Sequence, residues 1–551
     1  MKSRREFTLP CWSKRWAIPA IISLGAVLRL TQYLTSNSMW LDELYIALNV
    51  TQSSWADLLF KPLAHNQVAP IGFLAVEKLA TSIIGNTEIA LRFFPSLFGL
   101  ASLVLFWRVS KRFLDGQALL AALILFAINP VFLWTARNAK QYSGDVMVGL
   151  LLVLLALRFH EGQHDRRSLL IGGILAGLGI LLSQPAVLVV PFLLMVLLIS
   201  RLRLRERLSP LLSLMVGTGI VAFVVTINSL VLAPPITRSR MRQGWSESFI
   251  AAPWDDPFSM PRLLINFVAY VFGGMVPDTY PEIALSLFIL GLVILGIVRL
   301  ATSTPHGLAL LAAPLAIAVI ASAAHILPLS GRVAVYAGPS VVVAAVVGFS
   351  TVRVMSPMSA RAFVTAVVWF VLVTPSLAQL FLVPPFHKRE DARPVLERVR
   401  DHWQPGDVLY TVHGGWPAMQ FYGESMGLVP WKAGGSHGFA PRAYLREVDL
   451  LRGNPRVWFF YTHAKWCQPE IVIDYLDSIG VRMQVIEDRE GNRGKREAAA
   501  YLYDLSDPEL LAGSSVASHP VPSNPMECER APLSQGEIIK RKVRELVNSF
   551  T

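Results

Sequence analysis

Two acidic residues stand side by side in the run Met39-Trp40-Leu41-Asp42-Glu43-Leu44-Tyr45. A carboxylate in this position can take a proton from an attacking hydroxyl when it lies within hydrogen-bond reach. It can equally cap a helix lying at a membrane surface. Trp40 and Tyr45 suit an interfacial aromatic belt under either reading. The second constellation is Trp134-Thr135-Ala136-Arg137-Asn138-Ala139-Lys140-Gln141-Tyr142. Arg137 and Lys140 are three apart, so on a helical turn they point the same way. Two neighbouring cations suit a phosphate or a lipid headgroup, with snorkelling to the interface as the alternative. Arg332 with Tyr336, and the series Arg238, Arg240 and Arg242, are further cationic candidates. Trp254-Asp255-Asp256 is a second source of carboxylate, ranked below Asp42. His65 and Glu77 flank Pro70 and could complete an acceptor or metal site.

These groups need elements to hold them, and the composition says which kind. Of 551 residues, 53% are hydrophobic and only 16% are charged, against about 25% in an ordinary soluble domain. The apolar residues gather in blocks long enough to cross a bilayer, at about 20 residues each. That excludes a soluble multidomain enzyme, a disordered chain and a fibre. The net charge of +12 sits mostly in short loops between the blocks, which is how membrane proteins are oriented and argues against a nucleic-acid partner. Cys11, Cys467 and Cys528 form no disulfide framework and no metal finger.

The expected spans are 16–35, 89–107, 117–134, 142–159, 168–184, 186–200, 209–232, 281–299, 308–327, 333–350 and 361–383, about eleven in all. Lys2, Arg4, Arg5, Lys14 and Arg15 place the N-terminus in the cytoplasm, with the first block as a retained anchor. Arg108, Lys111, Arg112, the stretch Arg158 to Arg167, Arg201 to Arg207, Arg299, Arg353 and Arg361 fall inside. An odd count then puts everything after the last span outside. The segment 263–276 is either one more span, which would invert the later topology, or an interfacial helix. Arg29 and Gln32, inside the first span, need polar partners and turn that helix towards the bundle.

Three parts follow: a transmembrane domain over 1–386, an extracytoplasmic α/β domain over 387–510, and a linker with an amphipathic C-terminal helix over 511–551. Helices are expected at 391–403, 441–453 and 469–480. Strands are expected at 407–412, 456–461, 481–487 and 499–505, in a largely parallel sheet. The run His413-Gly414-Gly415 reads as a tight turn or, less readily, a phosphate cradle. His413, His437 and His463 lack the spacing of a zinc site.

Asp42-Glu43 after the first span, Asn86-Thr-Glu-Ile-Ala-Leu-Arg92-Phe-Phe-Pro95 opening the second, and Arg137-Asn-Ala-Lys140-Gln-Tyr142 after the third together resemble the GT-C membrane glycosyltransferases. The branch it is most similar to is that of protein O-mannosyltransferases and of lipid A aminoarabinose or galacturonic acid transferases. The likeness covers roughly 16–383. It implies the GT-C fold in the inner membrane, with a sugar moved from a polyprenyl-phosphate donor to an outer-face acceptor and the anomeric centre inverted. Asp42 takes the place of the family's first-loop acid, with Glu43 beside it. Arg137 or Lys140 takes the place of the phosphate-binding cation, and Arg332, Tyr142, Tyr45 and His65 are expected to contact substrate. The chain reads His65-Asn66-Gln67-Val68-Ala69-Pro70 where many relatives have a His-Pro-Pro-like run. That departure leaves open the acceptor side, and a divalent metal held by Asp42, Glu43 and His65. The acceptor itself, whether glycan, lipid or protein, is not readable. A transporter is the main alternative, but transport pathways need ionisable groups at mid-membrane depth. A sensor with an outer binding domain is the other.

Overall fold

The computed structural model describes residues 11–35, 37–162, 165–205, 208–274, 277, 279–382, 391–465, 467–487 and 498–524. The chain forms two units, Met1–Ser36 with Asn49–Phe386 and Asn37–Leu48 with His387–Thr551. The segment 37–48, expected to belong with the transmembrane part, thus groups with the C-terminal unit. The helix expected over Ser534–Phe550 and the basic residues Lys2, Arg4 and Arg5 lie outside the described residues.

The first unit is helical, and each expected apolar segment falls on one helix or on a broken pair of helices. Among the described residues, seven helices are long and apolar enough to cross a membrane, or up to nine if each bent pair is one span, among them Trp16–Leu34, Glu88–Ser110 and Tyr142–His160. Arg167–Leu182 and Leu211–Thr226 are shorter apolar helices. Two further segments are broken, at 45° between Gly116–Ile128 and Pro130–Arg137 and at 55° between Pro305–Leu311 and Ala313–Ala323. The first break has a cause in the sequence. Pro130 has no amide hydrogen, so the Phe126 carbonyl loses its helical donor. Asn129 caps the new helix, its Oδ1 accepting from the amides of Val131 (3.0 Å) and Phe132 (3.3 Å). Arg29 supplies what the backbone lacks: its guanidinium donates to the carbonyls of Ala127 (3.2 Å) and Phe126 (3.4 Å). At membrane depth an unmet carbonyl costs several kcal/mol, so the buried arginine and the break require each other.

The helix Ser259–Gly273 covers most of the segment that was ambiguous. It is not among the helices long enough to span, and it buries Leu263, Phe267, Val271 and Phe272 in the unit's core. Helices Tyr280–Ser303 and Gly338–Met355 approach closely because Gly296 and Gly348 face each other's backbones. A Cβ on either would collide with the carbonyl of Ala344 or Leu292.

The second unit has a five-stranded sheet: β1 (Val408–Thr411), β2 (Trp431–Ala433), β3 (Val457–Tyr461), β4 (Val481–Glu487) and β5 (Ala499–Asp504), in the order β2-β1-β3-β5-β4. β1 is parallel to β2 and β3, whereas β5 is antiparallel to β3 and β4. The expectation of a largely parallel sheet is therefore corrected to a mixed one. The three-residue β2 was not anticipated, being too short to show a period. Helix Ala392–His402 buries Ala392, Val395, Leu396 and Val399, one stripe at helical spacing. The buried Asp407 accepts from Arg456 Nε (2.6 Å) and Trp458 Nε1 (2.8 Å), fixing the start of β1 beside β3. Residues 511–517, expected as linker, are held to the domain. Arg452 donates to the carbonyls of Leu511 and Ser514, and Arg442 to those of Val516 and Ala517. Cys467 is disulfide-bonded.

Candidate active site

In the second unit, Asp42 and Glu43 lie in the first turn of the helix Leu41–Gln52. Leu44 N–H donates to Trp40 O (2.9 Å), which makes Trp40 the residue before the helix. Glu43 then reaches back, and its Oε2 accepts from Trp40 N–H (3.0 Å). This is the acidic half of a capping box, and negative charge suits the positive end of the helix. Glu43 is buried and Asp42 half-buried.

Four consecutive amides in this segment each have an acceptor. Ser38 N–H donates to Asp391 Oδ1 (3.1 Å), Met39 N–H to Tyr422 OH (2.9 Å), Trp40 N–H to Glu43, and Leu41 N–H to His463 Nε2 (3.2 Å). The Ser38 hydroxyl also meets Asp391 and accepts from Arg393 N–H (2.9 Å). Since His463 Nε2 accepts, its proton is on Nδ1, 3.0 Å from Thr462 Oγ1. Burial pushes the His463 pKa down to about 4, against the opposing pull of the Asp42 charge. The imidazole is therefore neutral at pH 7. His463 has φ 51°, in the left-handed region that bulky side chains avoid. Trp40 meets it edge-on at 4.5 Å, and Tyr45 packs near Trp416 at 6.0 Å. Gly414 makes room for this loop: a Cβ there would run into the carbonyl oxygens of His463 and Thr462. The His413-Gly414-Gly415 run is thus a turn at which two backbones touch.

The cationic candidates lie in the first unit. The helix Pro130–Arg137 stops at Arg137, and Asn138 is extended (φ −84°, ψ 136°). Arg137 and Lys140 therefore do not share a helical turn, and the three-residue spacing does not align them as expected. Lys140 is buried and donates from Nζ to Gln67 Oε1 (2.8 Å). Gln67 follows a turn in which His65 and Asn66 both have positive φ (61° and 54°). Asn49 pins that turn, with its Oδ1 accepting from Ala64 N–H (2.8 Å). His65 is exposed. Arg332 lies over the rings of Tyr142 (5.9 Å) and Trp245 (5.7 Å). Arg238, Arg240 and Arg242 are exposed on the helix Pro235–Gly244. Asp256 is paired with Arg262 (2.8 Å).

Sequence reasoning missed Asp391, Tyr422, Thr462, Gln67 and Trp245, and gave His463 no part in holding Asp42. Nothing local marks Asp391, Tyr422, Gln67 and Trp245, because their partners are far away along the chain. Among the described residues, no three His, Cys, Asp or Glu side chains gather as a metal-binding set.

Residues 68–228 match the family model described as dolichyl-phosphate-mannose-protein mannosyltransferase. No curated protein matches. Among solved structures, ArnT from Cupriavidus metallidurans bound to undecaprenyl phosphate is similar at TM-score 0.52 and 12% identity, covering 90% of this chain and 98% of that one. AglB, the oligosaccharyltransferase from Archaeoglobus fulgidus in complex with an inhibitory peptide and a dolichol-phosphate, is similar at TM-score 0.51 and 12% identity, covering 90% of this chain and 75% of that one. At such identities the likeness is one of fold.

Proposed function

We propose that this chain is a membrane glycosyltransferase of the GT-C superfamily, and that it moves a sugar from a polyprenyl-phosphate donor to an acceptor on the outer face, with inversion; the family match over 68–228 and the likeness of fold support the reading. Asp42 is the general base. It takes the proton of the acceptor hydroxyl as that oxygen attacks the anomeric carbon, and the bond to the lipid phosphate breaks with its electrons on the phosphate. Lys140, Arg332 and Arg137 hold the departing phosphate, while Tyr142, Tyr45 and His65 contact substrate. A cation about 4 Å from the phosphate contributes up to roughly 4 kcal/mol at an effective dielectric of 20. Only the part of that gained in the transition state raises the rate.

The observation that carries the reading is the clamp on residues 38–41. Every amide before Asp42 is tied down, and Glu43 is occupied in capping. Asp42 thereby sits on a backbone that does not need to reorganise. Glu43 accordingly moves from the catalytic role expected of it to a positioning one. The undecaprenyl phosphate and dolichol-phosphate in the similar structures support the choice of donor. The Cys467 disulfide supports an oxidising, extracytoplasmic setting for the second unit, with the N-terminus in the cytoplasm. A divalent metal is left out of the mechanism.

The test is release of polyprenyl phosphate from a labelled donor, with Asp42→Asn and Lys140→Gln beside the unaltered protein. We expect Asp42→Asn to lose about 10²–10⁴-fold in kcat, and Lys140→Gln to weaken donor binding as well. Equal release by Asp42→Asn and the unaltered protein would remove Asp42 from the reaction.

A further inference from the structure

The first unit contains a cavity of about 210 Å³ that the transfer reaction does not use. It lies among the helices Tyr142–His160, Arg166–Leu182, Ala186–Leu204 and Ser209–Leu232, and its walls include Leu152, Phe159, Leu169, Leu193 and Leu214. The lining comes from the C-terminal half of Tyr142–His160, the N-terminal halves of Arg166–Leu182 and Ser209–Leu232 and the middle of Ala186–Leu204, towards the end of the bundle where Tyr142–His160 stops and Arg166–Leu182 starts. That end carries Arg158, which itself lines the cavity, together with Arg167 and Arg203. All three are exposed, and none has a carboxylate partner among the described residues. Of the described acids at the same end, Glu161 pairs with Arg112 and Asp165 caps the helix Arg166–Leu182 by accepting from Ser168 N–H (3.4 Å), while Asp115 is exposed at the start of Gly116–Ile128. On the wall of the cavity, Gly172 has no heavy atom near the place a Cβ would occupy. The cavity is therefore an apolar slot with Arg158 in its wall and an excess of described basic over acidic side chains at that end.

We propose that this slot holds one acyl chain of an anionic phospholipid, whose headgroup phosphate is bound by Arg158 and Arg167. The choice of occupant rests on charge complementarity. A zwitterionic headgroup would bring its own cation to a rim that already has three, whereas an anionic one neutralises it. The basic end is the one that loop charge assigns to the cytoplasmic leaflet. The site is thus separate from the donor site proposed above, and it stands or falls independently of the transfer chemistry.

Native mass spectrometry of the full chain in detergent, titrated with palmitoyl-oleoyl phosphatidylglycerol or phosphatidylcholine, tests it without any activity readout. One equivalent of phosphatidylglycerol should bind on the order of tenfold more tightly than phosphatidylcholine. Arg158→Gln with Arg167→Gln, both at exposed positions, should bring the two lipids to within about threefold. Gly172→Leu should fill the slot and abolish the high-affinity equivalent of either lipid. Equal binding of the two lipids by the unaltered protein would overturn the proposal. Retention of the bound lipid by Gly172→Leu would do the same. Displacement of phosphatidylglycerol by one equivalent of undecaprenyl phosphate, lost in the same variants, would reassign the slot to the donor lipid.

Discussion

The acid-bearing segment 37–48 and the cation-bearing turn 137–142 are built in opposite ways. The acid's backbone is held by acceptors from far along the chain, Asp391, Tyr422 and His463. The cations' backbone is set by a local event, the Asn129-Pro130 break, which starts the helix that ends at Arg137. Polar clamps of the first kind are satisfied only when two separate stretches have both folded. The proline break starts locally, and Arg29 from the first helix then meets the carbonyls it frees. The acid's position should therefore be sensitive to pH and to backbone crowding in the C-terminal unit, and the cations' position should not.

Ways to break that contrast can be ranked by expected effect. The largest is chemical: Asp42→Asn should cost about 10²–10⁴-fold in kcat, while Glu43→Gln should cost far less, because it weakens a cap and leaves the base in place. Steady-state release of polyprenyl phosphate compares the two. Next is pH. The His463 pKa is held near 4, below the ordinary 6.5, so the unfolded chain takes up the proton first. The stabilisation is complete above pH 6.5 and is lost as pH falls towards 4, by about 3 kcal/mol in total. His463→Gln keeps an acceptor for Leu41 N–H without titrating. Melting curves of the full chain between pH 7.5 and 4.5 should be flatter for that variant. Gly414→Ala follows, at roughly 1–3 kcal/mol, because its Cβ overlaps the His463 and Thr462 carbonyls. If the clamp positions Asp42, this variant also lowers kcat while donor KM stays put, and a variant that merely melts earlier would sever the link. The smallest effect is Glu43→Gln on stability, about 1 kcal/mol, read from the melting temperature.

Some of this was legible because its cause is local. The apolar blocks showed as helices since a bilayer-length run needs no partner to be recognised, and the strands β1, β3, β4 and β5 showed through their own apolar residues. The break at Asn129-Pro130 was also available, as an Asn-Pro pair inside a single apolar block, yet length alone read it as one straight span. Arg29 was correctly turned inward, although its partners, the Phe126 and Ala127 carbonyls, follow from that break. Arg137 and Lys140 do not align on a helical turn, since the helix ends before Asn138.

The sequence by itself determined the class of molecule: hydropathy and loop charge are sums over neighbouring residues, and they specify a multi-span helical protein with a polar C-terminal domain. The tertiary structure alone decided what holds Asp42. The Leu41 amide and the imidazole of His463 are 422 residues apart, and a hydrogen bond between such distant groups leaves no periodic trace along the chain.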